Sequence, residues 1–137
     1  MVDSGYFRLD CLPQRSALGY TDGPNGTWKS NIYSLPFIGG GDGGTFVTAE
    51  DMLRFWTALF DHRLLSAEGT ADLLTPHVKV NEEVSYGYGV WIGTQEAGET
   101  SGVRRFSVVG EDPGVSFSSA VYPKAGIRTV VLARTTW

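Results

Sequence analysis

The chain has 137 residues, 42% of them hydrophobic and 19% charged, with a formal net charge of −4. That length allows one domain with a real core, and the acidic balance excludes nucleic acid or an anionic membrane surface as the main partner. Eighteen glycines and 12% aromatics favour short strands and tight turns over a helix bundle, and no apolar stretch approaches the roughly 20 residues that span a bilayer.

A soluble chain is expected. Met1-Val-Asp-Ser-Gly lacks the basic-then-apolar pattern of an export signal, and the lone Cys11 says nothing of compartment, which stays undetermined. One cysteine and two distant histidines, His62 and His77, give no basis for a zinc site, and no metal or other cofactor is expected.

In chain order, "ALGYT" and "TWKSNIY" read as two strands joined by "DGPNG", a hairpin within residues 15–35. Asn25-Gly26-Thr27 is formally a glycosylation sequon but reads as the turn. Pro36 and a glycine run then break regular structure. Thr48-Ala49-Glu50-Asp51 resembles a capping box, and Ala49, Met52, Leu53, Trp56, Leu59 and Phe60 follow on one helical face, ending near His62-Arg63. A second helix starts from Ser66 and stops at Thr75 before Pro76, so the helical region is about 48–75. Beyond it the period becomes two: "YGYGVWIG", "RRFSVVG", "GVSFSSAVYP" and "IRTVVLART" read as four strands within about 84–135. They are connected by a polar loop through Gln95–Gly102, by Asp112-Pro113-Gly114 and by Pro123–Gly126. Such short turns imply antiparallel neighbours. The expected class is α/β of the α+β type: an antiparallel meander with two helices, in a single partial domain over 1–137.

"IGGGDGGTFVTAEDM" contains Gly39-x-Gly41-x-x-Gly44, the spacing of a dinucleotide fingerprint. Three residues separate its last glycine from the helix cap, and Pro36 breaks the strand that should precede it. No Gly-Lys-Ser/Thr is present either, so a phosphate loop is not the reading.

The segment "GGDGGTFVTAEDMLRFWTALFDHRLLSAEGTADLLTPH" instead resembles the serine β-lactamase and penicillin-binding-protein-like hydrolases, in particular their class C branch with its esterase and D-aminopeptidase relatives. "YGYGVWI" is similar to that family's Tyr-Gly-x-Gly-Trp strand. "VVGEDPGVSFSSAVYPKAGIRTVVLARTTW" is similar to the stretch with the third catalytic box, and "MVDSGYF" to the segment after the catalytic tyrosine. The resemblance covers the whole chain and corresponds to the C-terminal part of a family domain, hence a partial β-lactamase/transpeptidase-like fold.

The resemblance implies acyl transfer to a serine in Ser-x-x-Lys, with a tyrosine assisting proton movement and two backbone N–H groups on the oxyanion. Those parts are missing here. Lys29, Lys79 and Lys124 follow Gly26, Pro76 and Val121 by three positions; Asn25, Asn31 and Asn81 follow Gly23, Lys29 and Lys79 by two. No Ser-x-x-Lys, Tyr-x-Asn or Ser-x-Asn exists. The third box aligns with Val108-Val109-Gly110 and keeps only its glycine, losing the cation that would help bind a substrate carboxylate. Glu111 would offer its backbone N–H to the oxyanion. Asp42, Gly43, Gly44 and Asp112 are cleft-lining candidates, against a flexible connector for the glycines and simple turn-fixing for Asp112. Tyr86, Tyr88 and Trp91 read as core or sheet-face residues, Trp56 as core, the histidines as surface or capping residues, and Glu82-Glu83 and Glu96/Glu99 as solvated charge.

The expected function is a fragment of a serine hydrolase, inactive alone; the alternative is a non-catalytic binding or self-assembling module. Expected partners are the N-terminal portion of the parent domain or a second copy, with a small acyl substrate in the complete parent. A homodimer or swapped assembly burying Trp137 is expected, because the resemblance implies N-terminal strands and a closing helix that the chain does not carry.

Overall fold

The computed structural model describes residues 1–95 and 103–134. Turn chemistry sets its first pairing, in which β1 (Tyr20–Asp22) runs antiparallel to β2 (Trp28–Ser30) with Tyr20 opposite Ser30. Between them Asn25 (φ 57°) and Gly26 (φ 74°) take the left-handed conformation, which these two residue types tolerate best. The hairpin is shorter than the 15–35 expected. Asn31–Tyr33 leaves the strand as a single 3-10 turn, because the Ser30 hydroxyl accepts the Ile32 N–H (3.3 Å) and diverts the backbone.

Helix α1 (Ala49–Phe60) starts where the capping pattern places it, with Thr48 Oγ1 accepting the Asp51 N–H at 3.1 Å. It ends before His62, whose φ of 56° cannot continue a helix. Helix α2 (Ala67–Leu73) is capped by Ser66, whose Oγ accepts the Gly69 N–H at 3.1 Å. His62 Nδ1 lies 3.3 Å from Thr70 Oγ1, tying the end of α1 to α2.

Six strands follow in one antiparallel sheet ordered as in the sequence: β3 (Val78–Lys79), β4 (Val84–Tyr86), β5 (Trp91–Gln95), β6 (Val103–Asp112), β7 (Val115–Tyr122) and β8 (Ile127–Ala133). Two details differ from expectation. "YGYGVWIG" is not one strand: Gly89 (φ 78°) and the Gly87 N–H to Val90 carbonyl bond (2.8 Å) fold it into a hairpin, with Tyr86 opposite Trp91. The two-residue β3 was not legible, since so short a strand has no period of its own. Glu96, Glu99 and Trp137 lie outside the described residues.

The chain divides into two compact units. The second, Met52–Val108 with Ser118–Val130, has an apolar core of Trp56, Leu59, Val90, Ile92, Phe106 and Val121, all at most 7% exposed. Trp56 stacks on Phe60 (6.2 Å between centroids), and its indole N–H donates to Ser119 Oγ at 2.8 Å. Ser119 Oγ in turn donates to the Thr129 carbonyl at 3.2 Å, so the buried polar atoms are paired. Leu53, placed on the same apolar face by spacing, is exposed. The first unit, Met1–Asp51 with Val109–Phe117 and Val131–Trp137, is built differently. Its buried described residues are Gly19, Asn31, Asp51, Gly114 and Ser116: two glycines and three polar side chains.

Candidate functional site

The candidate residues belong mainly to the first unit, and hydrogen bonding shapes them. The glycine loop closes on itself: the Gly40 N–H donates to the Gly43 carbonyl (2.9 Å) and the Gly43 N–H to the Gly40 carbonyl (3.2 Å), leaving Gly41-Asp42 at the tip. A Cβ on Gly39 would lie 2.4 Å from the Gly44 carbonyl oxygen, and Gly44 itself sits at φ 77°. The outer glycines are therefore required by the loop's own closure. Asp42 and Gly43 are exposed and Gly44 is half-buried.

The segment bonded beside this loop is residues 2–9. Gly5 exchanges both backbone hydrogen bonds with Phe46 (2.9 and 3.0 Å), the Leu9 N–H donates to the Phe37 carbonyl (2.9 Å), and the Phe7 and Phe46 rings meet edge-on at 6.2 Å. The fully buried Asp51 carboxylate accepts the N–H groups of Val2 (2.9 and 3.0 Å) and Asp3 (2.8 Å) and the Ser4 hydroxyl (2.8 Å). Ser4 Oγ also accepts the Thr48 N–H at 3.1 Å. A carboxylate without water needs such donors. Sequence spacing pointed only to helix capping for Asp51; no pattern in the sequence pairs it with residues nearly fifty positions away.

On β6, Val108 is half-buried against the second unit's core cluster, while Val109 (53% exposed), Gly110 and Glu111 are exposed. A basic side chain is absent, and position 108 is used for packing. Asp112 is half-buried at the turn where Pro113 leads to Gly114, at φ 75°. A Cβ on Gly114 would come within 2.7–2.8 Å of the Tyr20 backbone, and one on Gly19 within 2.5 Å of the Gly114 carbonyl oxygen. The turn thus packs backbone to backbone against the base of the β1–β2 hairpin. Asn31, 1% exposed, donates its backbone N–H to the Gly19 carbonyl (3.0 Å) beneath that contact, while neither of its side-chain polar atoms has a protein partner.

The aromatic candidates separate. Tyr86 and Trp91 form an edge-on pair at 4.7 Å on the sheet face. Tyr88 is 60% exposed and lies against His77, 4.2 Å between ring centroids, so it is neither core nor sheet-face. His77 Nε2 is 2.9 Å from the Asp72 carbonyl, a capping position at the end of α2. Lys79 pairs with Glu82 at 2.8 Å. Cys11 is exposed and unpaired by a disulfide. An open depression of about 210 Å³, lined by Phe60, Val121, Tyr122, Pro123, Gly126 and Arg128, holds none of the candidate residues and is smaller than a usual ligand cleft. Among the described residues no group of three or more metal-ligating side chains occurs, and no helix is long and apolar enough to cross a membrane.

Neither Ser4, used as a bridge between Asp51 and Thr48, nor Ser119, bonded to Trp56, has a lysine or histidine in its described hydrogen bonds to activate it.

No protein-family model matches the chain, and no curated protein does. Among solved structures it is similar to a penicillin binding protein from Bacillus halodurans, with 50% identity and a TM-score of 0.92 over 100% of this chain and 41% of that one. It is similar in fold to the octameric penicillin-binding protein homologue from Pyrococcus abyssi (20% identity, TM-score 0.78, 99% of this chain, 31% of that one). A D-stereospecific amidohydrolase from Streptomyces sp. shares the fold as well (22%, 0.72, 92% and 37%). The chain spans well under half the length of each.

Proposed function

The chain carries part of the serine β-lactamase and penicillin-binding-protein-like fold, and on that premise we propose that it is the C-terminal portion of a class C-related serine hydrolase domain. In the complete domain the reaction is acyl transfer from a β-lactam, an ester or a D-amino-acid peptide to a serine supplied by the N-terminal portion. The observation that carries the reading is the full-length superposition at 50% identity on the Bacillus halodurans protein.

Within that reading the chain's contribution is positional. The turn at Asp112–Gly114, held against Gly19–Tyr20, fixes the end of β6, so the N–H of Glu111 is a fixed donor for a developing oxyanion. The Glu111 side chain is exposed and does not prevent this. With no nucleophile, the chain alone does not hydrolyse substrate. Incubation with a chromogenic cephalosporin or a nitrophenyl ester, followed by intact-mass spectrometry, should show no acyl adduct; a stoichiometric adduct lost on mutating one hydroxyl would refute the reading.

A second reading is a non-catalytic binding or self-assembling module, and one observation favours it. Val108 occupies the basic position of the third box and packs against the core, so the site has lost its cation structurally as well as chemically. Calorimetric binding of a peptidoglycan fragment or β-lactam without turnover would favour this second reading, and a flat titration against both would count against it.

A further inference from the structure

The third box has lost the charge that a carboxylate substrate would meet, and its surroundings carry the opposite one. Val108 stands at the basic position, half-buried against the second unit's core cluster. The two residues after Gly110 are both acidic: Glu111 is exposed and Asp112 half-buried. The first compact unit, to which both belong, holds eight of the 15 acidic side chains and four of the 11 basic ones, while the second holds seven of each. The formal net charge of −4 therefore belongs wholly to the first. Of its four cations, Arg8 is forked onto Asp10 at 3.0 and 2.7 Å, and Lys29 pairs across the hairpin with Thr21. Arg15 and Arg134 are the other two.

The hairpin packed on this end of β6 adds aromatic surface of matching character. The Tyr20 main chain lies against Gly114, two residues past Asp112. Side chains alternate along a strand, so Tyr20, Asp22 and Trp28 share one face of the hairpin and Lys29 takes the other. The Tyr20 and Trp28 rings meet edge-on at 6.4 Å, and Asp22 is the residue directly opposite Trp28. Trp28 is 75% exposed. Among the described residues the one cation over an aromatic ring is Arg8, above Phe37, so no cation of the chain's own covers the Trp28 indole. An aromatic face beside carboxylates attracts an organic cation and has no attraction for an anion.

We propose that this site selects acyl substrates carrying an ammonium group beside the scissile bond, such as an amino-acid ester or amide with a free α-amino group, and discriminates against substrates that present a carboxylate there. This rests on the reading of the chain as part of a serine hydrolase domain and names the substrate class of that same site. Glu111 serves it twice, its N–H facing the developing oxyanion and its exposed carboxylate attracting the ammonium. Asp112 adds charge from the adjoining turn, and Tyr20, Asp22 and Trp28 supply the aromatic and acidic flank. A substrate ending in a carboxylate brings like charge to these groups and finds no basic residue at position 108 to offset it. Selectivity arises from that repulsion as much as from attraction to the ammonium.

The test begins with the 137-residue chain, titrated at constant ionic strength with D-alanine methyl ester, a cation, and with N-acetyl-D-alanine, an anion. Nuclear magnetic resonance follows the amides of Glu111 and Asp112 and the indole N–H of Trp28. Saturable shifts are expected at these positions with the ester, at an affinity about tenfold above that for the anion. Glu111→Gln, an exposed change that keeps the backbone N–H, should reduce the ratio about threefold, and adding Asp112→Asn should reduce it further. Glu82→Gln, in the second unit, should leave it unchanged. Equal affinities, no saturable shift with either compound, or shifts confined to other acidic residues overturn the proposal. The complete parent domain separates this outcome from the hydrolase reading, using D-alanine nitroanilide against N-succinyl-D-alanine nitroanilide. Ammonium binding by the chain with no acyl adduct from either anilide keeps the selectivity and refutes the hydrolase reading. Faster acylation by the succinylated compound keeps the hydrolase reading and refutes the selectivity.

Discussion

The two compact units bury opposite kinds of group. In the second, six apolar side chains around Trp56 leave water together, and the hydrophobic effect holds helix α1 to the sheet strands. In the first, which contains the glycine loop and the exposed end of β6, the buried set among the described residues is Gly19, Asn31, Asp51, Gly114 and Ser116. Hydrogen bonds and close backbone approach hold it. Burial of apolar surface stabilises in proportion to area, whereas a typical internal hydrogen bond nets only about 1 kcal/mol because water is given up to form it. The second unit should accordingly be the last part of the chain to open, and the first should depend on whatever covers its exposed aromatics.

The largest disturbance should come from the apolar unit. Trp56→Ala removes a fully buried indole and one of the two partners of Ser119 Oγ, and is expected to cost about 3–5 kcal/mol in urea unfolding. A loss below 1 kcal/mol would erase the contrast between the units. Next is Asp51→Ala, which strips three donors of their acceptor. A cost of about 2–3 kcal/mol is expected, with faster amide exchange at Val2 and Asp3, and unchanged exchange there would show that the carboxylate does not anchor the segment.

Gly114→Ala should cost about 2 kcal/mol, since φ is positive and the new methyl meets Tyr20 main chain, which cannot swing aside. If thermal melting does not shift, the turn is not packed on the hairpin as described. The smallest effect is expected at Asn31. Neither polar atom of its side chain has a protein partner, so Asn31→Leu, with the same branching and number of heavy atoms, should change stability by less than about 1 kcal/mol in either direction. A larger loss in denaturant would reveal a polar role for this amide.

Much of the fold was legible because local chemistry wrote it. Thr48 and Ser66 start helices by supplying the acceptor a first turn lacks, Asn25-Gly26 makes a left-handed turn, and the period-two run after Val103 marks β6 to β8. Legibility failed where a pattern was too short or its meaning depended on distance. β3 has two residues, and "YGYGVWIG" alternates through a turn that Gly89 makes. Of the candidate site, the absence of Ser-x-x-Lys, Tyr-x-Asn and Ser-x-Asn was readable from residue types alone. The closure of the glycine loop onto Gly40 and Gly43 was not, because those glycines suit a pocket wall equally well.

Residue order by itself determined the helices, the turns, the antiparallel meander and the absence of Ser-x-x-Lys, since each depends on groups within a few positions of one another. Only the tertiary structure decided that Asp51 grips Val2 to Ser4, that Val108 serves the core, and that Ile127, Val131 and Leu132 of the last strand stay exposed. Those outcomes depend on which distant surfaces meet and which remain uncovered, and a side chain's identity does not encode what will lie across from it.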